Sequence, residues 1–267
     1  MSDIIPIADP ADPRLAAYAG IRERDLVSRE GLFVAEGEVV LRVLLMRAQS
    51  LAVSLFLAEK RVEPLAQLLA KVPDGIPIYT ARQDIMDRIA GFHMHRGILA
   101  LGRRAPPQTA DALLAGLRPQ ALVLCLIGIA NHDNIGGIFR NAAGFGADAV
   151  ILDTASCDPL YRKAIRVSVG GTLVVPFARL GQEEDALGLL DTHGFDVLAL
   201  SPHGAETIDA IRPARRTAVL LGAEGPGLPP QILSRARSVR IAMAADFDSL
   251  NVATTSGIVL HHLTSRA

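Results

Sequence analysis

The chain has 267 residues, of which 50% are hydrophobic, and a formal net charge of −1. This length predicts two domains, and the apolar fraction is sufficient to give each a core. Residues 1–104 carry 14 basic and 13 acidic side chains, so this part is nearly neutral, as is the remainder. Bulk charge is therefore excluded as a means of holding nucleic acid, and any such contact must come from local patches.

The two cysteines, Cys125 and Cys157, match no metal-binding or redox spacing. They are interpreted as buried or unreactive thiols in a reducing compartment. The N-terminus lacks a basic segment followed by an apolar run, and no run of about 18 apolar residues occurs anywhere. The sequence therefore predicts a cytoplasmic protein that does not cross a membrane.

Residues 1–104 are predicted to form a small α/β domain after an extended arm and a short helix at 14–18. Apolar runs favour strands at 32–37, 51–58, 76–79 and 98–104. Amphipathic segments favour helices at 37–49, 63–72 and 82–92, of which the second is stopped by Pro73 and the third by Gly91.

Basic side chains form two groups within this domain. The first contains Arg22, Arg24, Arg29, Arg42 and Arg47, and the second contains His93, His95, Arg96, Arg103 and Arg104. These groups either form ordinary solvated surface or bind phosphate, and the sequence does not decide between the two. Phosphate binding would rest on ion pairing and counterion release. No Cys or third His lies near His93 and His95, so no metal site is predicted.

A linker with a short helix is predicted at 105–120, which contains three prolines, and the second domain at 121–267. It opens with ALVLCLIGI, a continuous apolar run typical of a strand buried on both faces of a parallel sheet. A polar turn, a helix from Ile135 to about Phe145 and a second strand complete one βαβ unit. Strands at 195–202 and 217–222 follow a helix at 184–191, which predicts a mostly parallel sheet.

Two glycine-rich strings in this domain could indicate a nucleotide-binding protein, which is the alternative interpretation of such an α/β domain. GFGADA (144–149) satisfies the dinucleotide fingerprint, but it follows a helix and precedes a strand, which is the wrong order. GAEGPG (222–227) lies between a strand and a helix, yet it lacks the Lys and Ser/Thr of a nucleoside triphosphate loop. A dinucleotide-dependent enzyme is therefore disfavoured, although backbone N–H groups in the second string can hold a polar ligand.

Three polar sets remain as candidates for chemistry: Asn134 with Arg140, Glu224 alone, and Ser249 with Asn251. Taken singly, each is explained by a helix cap or a turn. Together they occur in three segments, NIGGIFRNAAGFGADAVIL (134–152), LLGAEGPGL (220–228) and DSLNVATTSGIVL (248–260). These segments resemble the three motifs of the SpoU (TrmH) branch of the SPOUT methyltransferases, and SVGGTLVVPF (168–177) resembles the segment between the first two.

The resemblance implies an enzyme that moves a methyl group from S-adenosylmethionine (AdoMet) to a ribose 2′-hydroxyl of tRNA or rRNA. It implies a deep trefoil knot in an α/β parallel-sheet domain, and a homodimer with the knot helices packed across the dyad. Residues 1–104 look like the family's substrate-binding domain, which is similar to small ribosomal proteins. This domain is expected to select the RNA and to be dispensable for AdoMet binding.

Site residues carry over from the same motifs. The implied catalytic residues are Asn134, Arg140, Glu224, Ser249 and Asn251. The implied AdoMet-binding residues are Leu221, Gly222, Gly227, Ile241, Met243 and Leu250.

The chain departs from the family pattern in two places. Ala242 stands where a proline usually precedes Met243, and Ala253 to Thr255 replace a more common Ser-Val-Ala. Both lie near the expected AdoMet site, which leaves a catalytically silent RNA-binding knot protein as the alternative.

The resemblance implies Arg140 as a candidate base, but deprotonating an arginine at pH 7 costs about 7 kcal/mol. We interpret Arg140 as binding the adjacent phosphate and positioning the hydroxyl, and its place six residues after Asn134 is expected to point it toward the cleft. His132 is an alternative base, because the ordinary pKa of a histidine side chain lies close to neutral pH.

Overall fold

The computed structural model describes residues 3–19, 26, 30–244 and 248–265. Arg22, Arg24 and Arg29 of the first basic group lie outside the described residues. The chain divides into two compact units, of which the first comprises Met1–Pro106 and Leu160–Val174, and the second Pro107–Pro159 and Val175–Ala267.

The first unit is an α/β unit built on a five-stranded sheet. Its strands are β1 (Ile4–Pro6), β2 (Leu32–Glu36), β3 (Ala52–Ala58), β4 (Ile78–Ala81) and β5 (Ile98–Arg103), in the order β1-β4-β3-β5-β2. Its helices are α1 (Glu38–Arg47), α2 (Ala66–Leu69), α3 (Gln83–Ala90) and α6 (Arg162–Val167). The described residues of this unit also form 3-10 helices at Pro13–Tyr18, Gln49–Leu51, Glu59–Arg61 and Gly171–Leu173. The sheet is mixed, because β1, β4 and β3 pair in parallel whereas β5 runs antiparallel to β3 and β2.

Two elements of this unit differ from the sequence prediction. The helix predicted at 63–72 is a single turn, α2, flanked by other turns, and it still buries Leu65, Leu68 and Leu69. The strand predicted at 76–79 begins two residues later, at Ile78, where it pairs with Ile4 of the N-terminal arm. Apolar spacing therefore located these buried side chains correctly, although α2 ends at Leu69, before Pro73. Pro77 has no N–H to donate, and the paired residues of the strand begin after it.

The second unit is built on a seven-stranded sheet in which every described pairing is parallel. Its strands are β6 (Ala121–Ile127), β7 (Ala149–Leu152), β8 (Phe177–Arg179), β9 (Asp196–Leu200), β10 (Glu206–Thr207), β11 (Arg216–Gly222) and β12 (Arg237–Arg240). Their order is β10-β12-β9-β11-β6-β7-β8. Its helices are α4 (Ala110–Ala115), α5 (His132–Phe145), α7 (Ala186–Thr192), α8 (Pro230–Leu233) and α9 (Val252–Ser265). The α/β class and the parallel sheet predicted from the apolar runs are confirmed.

The helix of the first motif begins earlier than predicted. Helix α5 starts at His132, because Asn131 is its N-cap and accepts a hydrogen bond from Asp133 N at 2.8 Å. Asn134 is therefore a buried residue of the first turn and does not cap the helix. The predicted stop is confirmed, since Gly146 ends the helix in the left-handed conformation.

Side-chain contacts assign two further segments, α4 and α6, to one unit or the other. Within the predicted linker, α4 buries Ala110, Leu113 and Leu114 in the core of the second unit. Helix α6, which the sequence placed in the second domain, groups with the first unit, where the guanidinium groups of Arg162 and Arg166 lie 3.9 and 3.8 Å from Glu36.

Both cysteines are free thiols, Cys125 buried in β6 and Cys157 half-buried. None of the described helices combines the length and the apolar character that are needed to cross a membrane.

Candidate active site

A cavity of about 390 Å³ lies beyond the carboxyl ends of β9, β11 and β12. Its wall contains Ser201 and Pro202 after β9, the turn that follows β11, and Ile241 and Met243 after β12. The residues around the start of α9, Ser249 to Val252 and Thr255, complete the described wall. Ligands of open parallel sheets bind at this edge, where the connections to the next elements leave a crevice.

The turn after β11 brings bare backbone to the cavity. It is closed by a hydrogen bond from Gly227 N to Ala223 O at 3.0 Å, and Gly225 and Gly227 have φ angles of +85° and +69°. A Cβ on Gly222 would lie 2.3 Å from the carbonyl carbon of Gly227. Glycine is therefore required at Gly222 by close packing and at the other two positions by conformation.

Asn251 is the N-cap of α9. Its Oδ1 accepts hydrogen bonds from Ala253 N at 2.9 Å and Thr254 N at 3.2 Å, and its backbone oxygen accepts the bond from Thr255 N at 2.9 Å. These two donors identify which end of the amide is the oxygen, so its nitrogen faces the opposite way. The cap thereby fixes the orientation of the side chain at the cavity wall.

The nitrogen of the Asn251 amide connects the three motifs. Nδ2 donates to Asn134 Oδ1 at 2.9 Å and to Glu224 Oε1 at 2.8 Å. Asn134 is buried and Glu224 is exposed, so the pair of bonds runs from the interior to the surface. Three of the predicted catalytic residues are thus brought together in one hydrogen-bonded group.

Close packing of α5 against α9 holds this group in place. A Cβ on Gly137 would lie 2.6 Å from Cβ of Ala253, so the two helices cross where one of them has no side chain. One turn further along α5, Asn141 Nδ2 donates to Ala253 O at 2.7 Å and to Ser256 Oγ at 2.9 Å. The sequence reasoning missed Gly137 and Asn141, although a glycine pair inside a helix is a recognisable signal of close packing.

A second polar network, also missed, supports the loop that precedes α5. Asp153 Oδ2 accepts from Gly128 N at 2.9 Å, and Ser156 Oγ accepts from Ile129 N at 3.0 Å. Arg179 Nη1 donates to the backbone oxygens of Asp153 at 2.7 Å and Ser156 at 3.0 Å. The available signal was the polar run that directly follows the strand β7.

The remaining predicted catalytic residues are placed differently. Ser249 is exposed and lines the cavity without a described hydrogen bond. Arg140 is exposed on α5, is not among the described residues of the cavity wall, and has no described hydrogen bond or ion pair. Six residues along a helix amount to about 9 Å of rise and about 120° of rotation, so Arg140 faces away from the direction taken by Asn134.

The residues predicted to bind AdoMet all line the cavity: Leu221, Gly222, Gly227, Ile241, Met243 and Leu250. Of the departures from the family pattern, Ala242 is exposed and is not part of the described wall, and Ala253 packs against Gly137. Thr255 is the one position among the departures that the described wall includes. The departures therefore leave the predicted cavity residues in place.

In the second unit, the fold and the site together define a parallel α/β domain with a cavity of small-molecule size at the carboxyl edge of its sheet. The family model of the SpoU rRNA methylases matches residues 121–261. An uncharacterized tRNA/rRNA methyltransferase of Mycobacterium bovis is 42% identical over 274 residues, which cover 98% of this chain and 92% of the relative. This chain belongs to the SpoU rRNA methylase family.

Two solved structures show the same fold. The AdoMet-bound rRNA methyltransferase of Sinorhizobium meliloti aligns with a TM-score of 0.79 at 21% identity and covers 97% of each chain. A structure described as an RNA 2′-O ribose methyltransferase aligns with a TM-score of 0.76 at 22% identity, again over 97% of each chain.

Proposed function

We propose that this protein transfers a methyl group from AdoMet to a ribose 2′-hydroxyl of tRNA or rRNA. Family membership supports RNA methylation, and the names of the relative and of the two structural neighbours support tRNA or rRNA, AdoMet and the ribose hydroxyl. The observation that carries the proposal is the Asn251 amide, which joins Asn134 and Glu224 beside the cavity.

The cavity residues fit AdoMet. A volume of about 390 Å³ is in the range of small-molecule sites, which is roughly 300–1,000 Å³. Leu221, Ile241, Met243 and Leu250 supply apolar surface, and Gly222 allows the turn at the cavity wall to pack its backbone against Gly227 and Leu228. When bound, AdoMet supplies an electrophilic methyl group on a sulfonium.

The chain's own residues are suited to orient the hydroxyl. No described hydrogen bond uses the Asn134 amide nitrogen or the second carboxylate oxygen of Glu224, so one donor and one acceptor remain for the ribose. Ser249 adds a hydroxyl at the wall. Such positioning contributes about 7–11 kcal/mol to a reaction that needs in-line alignment.

The role of Arg140 in this proposal depends on the homodimer that the resemblance implies. An exposed guanidinium without a described partner is available to bind a phosphate, but it does not belong to the described cavity wall of its own chain. We therefore propose that Arg140 serves the cavity of the second chain, where it holds the phosphate next to the target ribose. The guanidinium fork suits this role better than that of a base.

The other implied properties belong to the same proposal: a deep trefoil knot, a cytoplasmic location, and an RNA-selecting domain at 1–104. A solved structure of the dimer, traced through its C-terminal helix, tests the knot. Chromosomal deletion followed by mapping of 2′-O-methyl sites identifies the RNA.

Two measurements test the activity. Calorimetry with AdoMet should give saturable binding, and RNA from a deletion strain, incubated with protein and radioactive AdoMet, should acquire label in 2′-O-methylnucleosides after complete digestion. Label in a methylated base would contradict the ribose assignment. Absence of binding at millimolar AdoMet, with RNA binding retained, would instead favour the silent RNA-binding alternative.

A further inference from the structure

The loop after α3, residues 91–97, is firmly anchored in the first unit. Asp87 accepts a hydrogen bond from Met94 N at 2.9 Å, and Gln83 Nε2 donates to Met94 O at 2.9 Å. Arg61 Nε donates to Arg96 O at 2.9 Å, and the side chain of Met94 is buried. Hydrogen bonds lower the pKa of Asp87 to about 2; the bond from Met94 N has the largest effect, and those from Gln83 and His93 add to it. The Asp87 side chain that anchors the loop is therefore a carboxylate at neutral pH.

This anchored loop presents an aromatic ring to solvent. Phe92 is 43% exposed, whereas its neighbour Met94 is 1% exposed. The guanidinium carbon of Arg162, from α6, lies 4.9 Å from the centroid of the Phe92 ring. A ring that is held by a fixed loop and stacked on one side by a cation is a preformed platform for a planar partner on its other side.

Basic side chains gather around the end of β2. Arg96 precedes β5, the antiparallel neighbour of β2, so its guanidinium lies across Gly37, with Nη1 2.8 Å from the position of a Cβ there. Arg162 and Arg166 approach Glu36 from α6 at 3.9 and 3.8 Å. The described ion pairs place Glu36 against Arg162 and Arg166, and Arg96 lies across the adjacent Gly37, so three guanidinium groups lie around one carboxylate.

We propose that the Phe92 patch, formed by Phe92, Arg96, Arg162 and Arg166 around Glu36, binds a single-stranded segment of the RNA substrate. One unpaired base stacks on Phe92, and its flanking phosphates pair with Arg96 and Arg166. This rests on the proposed function, to which it adds a recognition site and the state of the RNA at that site.

The chemistry favours a single strand over a duplex. Bases in an A-form helix are stacked on each other and cannot reach an aromatic side chain, whereas unpaired bases stack readily on phenylalanine and on guanidinium planes. A free anion would use the arginines but not the ring. A protein partner would not show the salt dependence that displaced counterions produce.

Fluorescence anisotropy with the full-length protein tests the patch, with a labelled 12-nucleotide single-stranded RNA and a blunt RNA duplex of the same length as probes. Phe92→Ala should weaken binding of the single strand about tenfold and Phe92→Tyr should leave it nearly unchanged, because stacking needs only the ring. Arg166→Gln should reduce the slope of log affinity against log salt by about 0.7, the value for one phosphate contact of a single strand.

Three comparisons separate recognition from a structural defect. Met46→Ala removes another exposed apolar side chain, and Arg82→Gln removes an exposed charge at the opposite end of α3; both should bind like the unaltered protein. Glu36→Gln removes the carboxylate that competes with phosphate, so it should strengthen binding several-fold. A purely structural role of this ion pair predicts weaker binding instead.

The outcomes also separate this inference from the proposed function. If Phe92→Ala binds the single strand within twofold of the unaltered protein, or loses duplex binding equally, the patch is not a single-strand site, while methyl transfer to RNA by the unaltered protein would still stand. If Phe92→Ala raises KM for RNA and leaves AdoMet affinity unchanged, both hold. An unaltered protein that binds neither probe overturns the patch, whereas the proposed function fails only if RNA acquires no label from AdoMet.

Discussion

The amide nitrogen of Asn251 lies 2.9 Å from the amide oxygen of Asn134, a residue 117 positions earlier in the chain. The same nitrogen donates to Glu224, and the oxygen of the same side chain caps α9. One residue therefore has a structural role and a site role that different substitutions can separate.

Replacing Asn251 should separate these two roles. Asn251→Ala removes the cap and both site hydrogen bonds, so it should lower the free energy of unfolding by about 1 kcal/mol and strongly reduce kcat. Asn251→Asp keeps an oxygen for the cap but places a carboxylate beside Glu224, so activity should fall with less loss of stability. Denaturant unfolding and single-turnover methylation measure the two effects.

Thr109→Ala is the matched control, because Thr109 Oγ1 caps α4 through Ala112 N at 3.1 Å without contacting the cavity. It should cost a similar amount of stability and leave turnover unchanged. Equal loss of turnover in both proteins would mean that Asn251 acts through stability alone.

Replacing Gly222 should damage AdoMet binding. In Gly222→Ala the new Cβ would lie 2.3 Å from the carbonyl carbon of Gly227 and 2.4 Å from Leu228 N, so the turn at the cavity must move. Overpacking of this kind should weaken AdoMet binding about ten- to a hundredfold. Calorimetric titration with AdoMet provides the measurement.

Gly194→Ala is its control. Gly194 has a φ of +70° but open space around its Cβ position, so alanine should cost about 1 kcal/mol of stability by backbone strain alone. Its AdoMet affinity should not change. A weakened affinity there would attribute the Gly222 effect to general destabilisation.

The crossing of α5 and α9 predicts a specific compensation. Gly137→Ala should lower the free energy of unfolding by about 1–3 kcal/mol, because its Cβ would lie 2.6 Å from that of Ala253. Ala253→Gly should recover part of that loss in the double variant, which a double-mutant cycle from denaturant unfolding would detect as coupling.

Gly144 offers the opposite result on the same helix. It has open space around its Cβ position, so Gly144→Ala should stabilise the helix by about 0.5–1 kcal/mol. If alanine destabilises the protein equally at both glycines, the loss of stability at Gly137 cannot be attributed to its contact with Ala253.

Arg140 should be essential for transfer and dispensable for AdoMet binding. Arg140→Ala should abolish methylation, and Arg140→Lys should remain severely impaired because lysine lacks the planar fork. Single-turnover rates between neutral and alkaline pH decide between the two roles. Recovery of the lysine variant at alkaline pH would support a base instead of a positioning group, since its reference pKa is about 10.4.

Co-expression tests whether Arg140 serves the second chain. A mixed dimer of Arg140→Ala and Asn251→Ala subunits would contain one cavity with both residues intact, so activity should reappear relative to either variant alone. Continued inactivity of a verified mixed dimer would contradict the shared site.

The sequence by itself determined the α/β class and the parallel sheet of the second unit. Continuous apolar runs, glycine turns and helix stops such as Gly146 are local signals, because they depend on backbone conformation and burial over a few residues. The six residues predicted to bind AdoMet come instead from the resemblance of the motif strings to the SpoU family, and all six line the cavity.

Only the tertiary structure decided which of the predicted catalytic side chains meet. The direction of a helical side chain depends on where the helix begins and on what packs against it, so a start at His132 placed Asn134 beside Asn251 and turned Arg140 away. The contact of Gly137 with Ala253 and the grouping of α6 with Glu36 join residues more than 100 positions apart. Local propensity carries no information on such pairs, because their geometry is set by the packing of whole elements.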